Sequence, residues 1–195
     1  MKTFTLQHLG LFFDVCNEAH EVWILRRTLI DDNLQIDDLR RGHYVHLLER
    51  LSRILHEYLL LQLGKLHDPA HDHKRDNLSI SYIVKYGAWD KATGETLRTL
   101  ARELDSLDKQ IRPARHRIIA HNDEETMVKG VPLGKFPPGA DTKYFQALHE
   151  FLRLAYEKMT GDPCGDFSSG SRTDARFLIR VFLESNAMWR GRTSR

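Results

Sequence analysis

Cysteine is scarce in this chain: Cys16 and Cys164 are the only two in 195 residues. Two cysteines cannot build a disulfide framework, and neither stands in a paired metal-ligand motif, so small disulfide scaffolds and zinc-ribbon modules are excluded. The scarcity fits a reducing, cytoplasmic setting. Long apolar runs are missing as well. None exceeds four residues, as at Tyr58–Leu61, far short of a membrane-spanning helix, and no membrane partner is expected. The opening MKTFTLQHLG has no uninterrupted apolar segment followed by a small-residue cleavage site, so no secretory signal is expected. Nor is one sign of charge in excess. There are 29 Lys and Arg against 27 Asp and Glu, for a net charge of +2. That excludes a protein that coats nucleic acid through its overall field, and any phosphate contact must come from a local basic patch. The 11 histidines would add positive charge below about pH 6.5, which bears on solubility.

Strand-like alternation, internal repeats and low-complexity tracts are also absent. What remains is helical periodicity. Over Thr5–Ile30, Leu6, Leu9, Phe13, Cys16, His20 and Trp23 recur at three- and four-residue steps until Asp31, Asp32 and Asn33 break the pattern. A second helix is predicted over Asp38–Leu66, with Leu47, Leu51, Ile54, Leu55, Tyr58, Leu59 and Leu63 facing the core and Gly42 marking a kink or a late start. The polar stretch His67–Asn77 contains Pro69 and reads as a loop. A short helix over Ser79–Tyr86 ends at Gly87, and Thr93–Gln110 carries a stripe through Leu97, Leu100, Ala101, Leu104, Leu107 and Ile111.

Proline is tolerated in a first helical turn, so Pro113 predicts a new or re-aimed helix over Pro113–Asn122. The glycines and prolines of Thr126–Ala140 predict a long loop suited to a lid or substrate wall. Asp141 or Thr142 should cap a helix that runs to Met159 and stops at Gly161. A last helix is predicted over Thr173–Ser185, followed by a basic, frayed tail at Trp189–Arg195. The expectation is one all-α domain over residues 1–195, an extended bundle of long antiparallel helices.

The chemistry concentrates in RPARHRIIAHND, Arg112–Asp123. A guanidinium is always cationic and can fork onto a phosphate, while an imidazole exchanges protons near neutral pH. Together they supply what phosphodiester cleavage needs without a metal or other cofactor. On one helix, the five residues between Arg115 and His121 set them about 9 Å apart along the axis and about 120° around it. Arg117 and His121 are stacked at i and i+4, with Arg115, Ile119 and Asn122 in a neighbouring row. One copy therefore makes a loose site. Two copies about a two-fold axis would bring two histidines and several arginines to one cleft, a reason to expect a homodimer.

This segment resembles the signature of the HEPN domains: an arginine, a polar residue, a short spacer and a histidine, matched by Arg115, His116 and His121. The AHND ending is similar to the abortive-infection (AbiU-type) branch, as is the block LHDPAHDHKRDNLSI, Leu66–Ile80. A weaker likeness covers the helix carrying Leu148, His149 and Leu152. The resemblance implies a dimeric all-α bundle whose active members are metal-independent endoribonucleases of phage defence and toxin systems. It assigns His121 to acid–base work on the ribose 2′-hydroxyl and leaving oxygen, Arg115 to the scissile phosphate, and His116 to an assisting role. Arg112, Arg117 and Asn122 are the flanking candidates for holding the RNA. Asp123 stands where one subgroup has a tyrosine modified by its antitoxin, so the resemblance names no particular antitoxin or defence partner.

Other readings use the same residues. A non-catalytic HEPN-like module could dimerise and bind RNA or a nucleotide, and a purely structural role would bury His121 in a helix contact. In the loop, His67, His71 and His73 with Asp68 and Asp72 are types that suit Zn or Ni, but their spacing matches no named motif. Arg26, Arg27, Arg40 and Arg41 read as solvated helix ends, Trp23 and Trp89 as core, and Glu103, Asp105 and Asp108 as a polar helix face.

Overall fold

The computed structural model describes residues 3–114 and 138–193. Numbered over these residues, α1 is Leu6–Arg26, followed by a π-helical turn at Arg27–Asp31. Next come α2 (Ile36–Arg40), α3 (Val45–Leu66) and a ribbon of β1 (His71–Asp72) and β2 (Arg75–Asp76). Then follow α4 (Ile80–Tyr86), α5 (Lys91–Ala114), α6 (Ala140–Thr160) and α7 (Gly170–Thr193). The chain is all-α apart from that ribbon. It groups into two compact units: Met1–Glu18 with Leu60–Phe167, and Ala19–Leu59 with Ser168–Arg195. Both α1 and α3 contribute residues to each.

In the first unit α5 packs along α6, and α4 packs on α5. The faces follow helical spacing: Thr93, Leu97, Leu104 and Asp108 are buried on α5, and Tyr144, Leu148, Phe151 and Ala155 on α6. Leu9, Phe12 and Cys16 of α1 and Leu63 and Leu66 of α3 are fully buried in the same unit. Each large apolar side chain so buried contributes about 1.5–3 kcal/mol. Asp90 caps α5, accepting from the Thr93 N–H at 2.9 Å and its hydroxyl at 2.7 Å. Gly161, in the left-handed region at φ 78°, ends α6.

The segment after α3 is more ordered than a loop. β1 and β2 pair antiparallel, His71 with Asp76 and Asp72 with Arg75, and His73 takes the turn at φ 50°. The Asn77 side chain donates to the Pro69 carbonyl at 2.9 Å, closing the base of the hairpin. Ser79 caps α4 by accepting from the Tyr82 N–H, and the Ser81 hydroxyl donates back to the Asp68 carbonyl. The Asp-Pro and Asn-Leu-Ser portions of this block thus form two ends of one closed turn.

In the second unit Leu29, Ile30, Leu39, Leu48, Ala175 and Phe182 form the core. Tyr44 donates to Ser185 Oγ at 2.6 Å. The π-helical turn has a direct signature: the Asp32 N–H reaches the Arg27 carbonyl at 2.8 Å, an i to i+5 bond. The ion pairs Arg26–Asp31 at 2.6 Å and Arg27–Asp32 at 2.9 Å share that five-residue spacing. Arg26 and Arg27 are therefore paired across the widened turn instead of simply solvated.

Several expectations are corrected. α5 runs without a break through Pro113 to Ala114. At this position proline forgoes the N–H bond to the Lys109 carbonyl and crowds that carbonyl with its ring. The rest of the new or re-aimed helix expected over Pro113–Asn122, and all but the last residues of the loop expected over Thr126–Ala140, lie outside the described residues. The N-cap of α6 is Gly139, not Asp141 or Thr142, and no side chain caps it. α7 starts at Gly170 instead of Thr173, because Glu21 accepts the Ser171 N–H at 2.8 Å and supplies a carboxylate to the helix start. It also continues to Thr193, past the expected fraying point at Trp189. On α1 the buried stripe uses Phe12 and Ala19 where periodicity alone selects Phe13 and His20. On α3, Leu47, Ile54 and Tyr58 face outward while Leu48, Leu60 and Leu63 are buried.

Gly87, expected only to stop α4, has a second reason to be glycine. Its backbone is extended, but a Cβ there would stand 2.1 Å from the Trp89 ring, which is pinned by an Nε1–H bond to the Ile83 carbonyl at 2.9 Å. Gly87→Ala is expected to lower stability by about 1–3 kcal/mol through overpacking, read as a lower urea midpoint with an unchanged slope.

Candidate active-site groove

One face of α5 carries Arg98, Arg102, Asp105 and Arg112, spaced to lie along a single side of the helix. With His67 from the end of α3 and Ser81 from α4 they line a groove of about 710 Å³. Arg98 and Arg102 are exposed, so the groove presents fixed positive charge to solvent.

Its floor is held by a buried imidazole. The His67 side chain is only 1% exposed and lies 2.8 Å from Asp105 Oδ1 through Nδ1, and 2.8 Å from the Tyr144 hydroxyl through Nε2. A carboxylate can only accept, so Nδ1 carries the proton, and Nε2 is held by the tyrosine hydroxyl, which can either donate or accept. Both ring nitrogens are thereby engaged, and His67 ties α3, α5 and α6 together; it is not a free base. Burial pushes the Tyr144 phenol well up from its ordinary value, with the negative charges possible at Cys16, Asp108 and Asp105 adding to it. The hydrogen bond from His67 is the main cause that holds the Asp105 carboxyl below its usual range, and the charges of Arg112 and Lys109 assist against partial desolvation.

One turn further on, Asp108 is buried and Arg112 answers it. Arg112 donates through Nε at 2.9 Å and Nη2 at 2.7 Å to the same carboxylate oxygen. The arginine side chain is 39% exposed and the aspartate 2%. Removing Arg112 would leave a buried carboxylate without its counter-charge. Arg112 therefore fixes the end of α5 before it can do anything else.

Of the expected motif set, Arg112 alone falls among the described residues. Arg112 lines the groove. Arg115, His116, Arg117, His121 and Asn122 lie outside the described residues. The loop histidines do not converge: His67 turns to Asp105 and Tyr144, His71 bonds Asp76 at 2.9 Å across the hairpin, and His73 is exposed beside Asp72 at 3.6 Å. Among the described residues no three His, Cys, Asp or Glu side chains gather to hold a metal ion. Sequence reasoning gives Asp105, Asp108 and Tyr144 no part in a site. A signal for Tyr144 exists in the four-three-four spacing of Tyr144, Leu148, Phe151 and Ala155; nothing in the sequence marks the two aspartates apart from their neighbours.

Residues 7–178 match the HEPN family described as AbiU2. The chain belongs to the AbiU2 family of HEPN domains. The match spans both the hairpin block and the arginine–histidine motif. No curated protein and no solved structure matches the chain. Among the described residues of this AbiU2 chain, no helix is long and apolar enough to cross a membrane.

Two variants probe the floor of the groove. Tyr144→Phe leaves His67 Nε2 without its partner and is expected to lower stability by about 1–2 kcal/mol in urea unfolding. Asp105 is lowered in the folded state, so its contribution is complete above the ordinary aspartate range and is lost as pH falls through and below it. His67→Ala removes the main cause of that depression, so the acid limb of a stability–pH profile should be shallower than in the parent. An unchanged limb would show that the His67–Asp105 bond contributes nothing to folding. Asp105 is half-exposed, which keeps the effect small.

Proposed function

We propose that this AbiU2-family chain is a metal-independent HEPN endoribonuclease of abortive infection or a toxin system, working on RNA in the cytoplasm. The observation that carries the reading is the family match over residues 7–178 together with Arg115, His116 and His121 standing intact inside it. The groove on α5 supports it, since Arg98 and Arg102 present positive charge on the helix that runs directly into the motif in sequence.

The proposed chemistry is a 2′-hydroxyl attack. His121 takes the proton from the ribose 2′-hydroxyl, and the oxygen attacks the adjacent phosphorus. The 5′-oxygen leaves with a proton returned by the histidine, giving a 2′,3′-cyclic phosphate. Arg115 neutralises the phosphate as charge develops, and His116 assists. Arg117 and Asn122 hold the flanking backbone, while Arg112 orients the end of α5. General acid–base help of this kind gives about 10²–10⁴ in rate, and charge stabilisation adds more. A homodimer that shares one cleft between two motifs is part of this proposal, as is an antitoxin or other defence partner that restrains the activity.

The purified chain should cut single-stranded RNA in the presence of EDTA and leave cyclic phosphate ends. His121→Ala should lower the rate at least about 10²-fold while circular dichroism stays unchanged. Cleavage that persists in the variant removes His121 from the mechanism. RNA binding with no turnover by the parent chain would favour the non-catalytic module instead. Arg112→Ala is a poor probe, because its pairing to buried Asp108 mixes stability with activity.

A further inference from the structure

The second unit carries a cationic pocket that the HEPN motif does not account for. Arg172, Arg176 and Arg180 recur every fourth residue on α7, and each lines a cavity of about 960 Å³. Four-residue steps on a helix advance about 6 Å each, so the three guanidinium groups form a row about 12 Å long. All three residues are exposed, and among the described residues none of their guanidinium groups has a carboxylate partner or a hydrogen bond. Five other arginines behave differently: Arg26, Arg27, Arg41, Arg112 and Arg153 each hold an acid within 3.4 Å.

The opposite wall is the π-helical turn. Its Arg27 guanidinium lies over the Trp23 ring at 5.2 Å and is fixed edge-on by Asp32 at 2.9 Å. A guanidinium plane held in this way is a stacking surface for a nucleobase. Ile24, Ile179 and Leu183 give the cavity an apolar floor, and Gln35 offers an exposed amide at the rim. Leu34, at 100% exposure, projects beside it. The lining has four arginines against two carboxylates, Asp32 and Glu184. This single pocket therefore holds as much net positive charge as the whole chain. π-Helical turns recur at functional sites, and this one forms a wall of the cavity.

We infer that this pocket is a second RNA contact, in which the arginine row of α7 follows successive phosphates of one strand and the Arg27 plane receives a base. The ligand is a strand and not a mononucleotide because the row is longer than one phosphate group can occupy. The inference rests on the ribonuclease reading only for the choice of RNA; the pocket binds whether or not the chain cuts.

Anisotropy of a short fluorescein-labelled single-stranded RNA, titrated with the full-length His121→Ala chain over a range of salt, tests it. Replacing Arg172, Arg176 and Arg180 together by Ala should weaken binding at least about tenfold and lower the slope of log affinity against log salt by about 2. A triple Lys variant should retain most of the slope, and Arg50→Ala with Arg53→Ala on α3 should bind like the parent. The inference is overturned if the alanine triple binds as tightly as the parent, if the lysine triple loses as much as the alanine triple, or if the α3 control loses as much. It is also overturned if adenosine monophosphate competes as strongly as the strand. Cleavage by the chain with His121 intact is scored separately. Cutting without α7-dependent binding removes this inference and leaves the nuclease; α7-dependent binding without cutting does the reverse.

Discussion

A single buried imidazole sets the geometry of the first unit. His67 closes α3, and its two nitrogens reach α5 through Asp105 and α6 through Tyr144 at 2.8 Å each. The imidazole and the Tyr144 hydroxyl are buried, where a bond is strong when complete and costly when one partner is missing, while Asp105 meets the ring from a half-exposed position. Neither nitrogen is left over, so the network fixes the ring's orientation and one register of three helices. The Asp108–Arg112 pair repeats the device one turn later, with a buried acid answered by a half-exposed base. The outward charge of the groove follows from these inward commitments. The arginines that face solvent are those that nothing inside the unit requires.

Charge in this chain is segregated. A net charge of +2 over 195 residues conceals two concentrations of arginine, one along α5 and one along α7. Each belongs to its own compact unit: the α7 arginines recur every fourth residue, and Arg98, Arg102 and Arg112 share one side of α5. A field of this kind is local. It attracts phosphate where the side chains converge, without making the rest of the surface adhesive. Salt should therefore act on discrete contacts and not on the molecule as a whole.

Much of the fold is legible in residue order. The all-α class, the break at Gly42, the α4 cap at Ser79 and the stop at Gly161 all follow from local chemistry that tertiary packing does not override. Helix faces are harder. On α3, leucines occupy both sides, so period alone cannot tell that Leu48, Leu60 and Leu63 turn inward while Leu47 and Ile54 do not. Acidic residues of one stretch with different destinies are harder still. Glu103, Asp105 and Asp108 stand close together in sequence, yet Asp108 is buried and Asp105 binds a histidine 38 positions away. Their partners are set by packing among helices far apart in sequence, which no spacing rule encodes. The arginine–histidine motif is the opposite case: plain in the sequence, and outside the described residues.

The π-helical turn at Arg27–Asp31 has a consequence for counting. One extra residue per turn rotates everything downstream relative to α1, so faces extrapolated from Leu6 at 3.6 residues per turn drift out of phase beyond Arg26. Excising one residue between the partners would restore ordinary winding and turn both five-residue ion pairs into four-residue ones, the spacing an α-helix itself favours. The ion pairs therefore tolerate either winding, and what a one-residue insertion or deletion in this segment changes is the phase of the faces beyond Arg26.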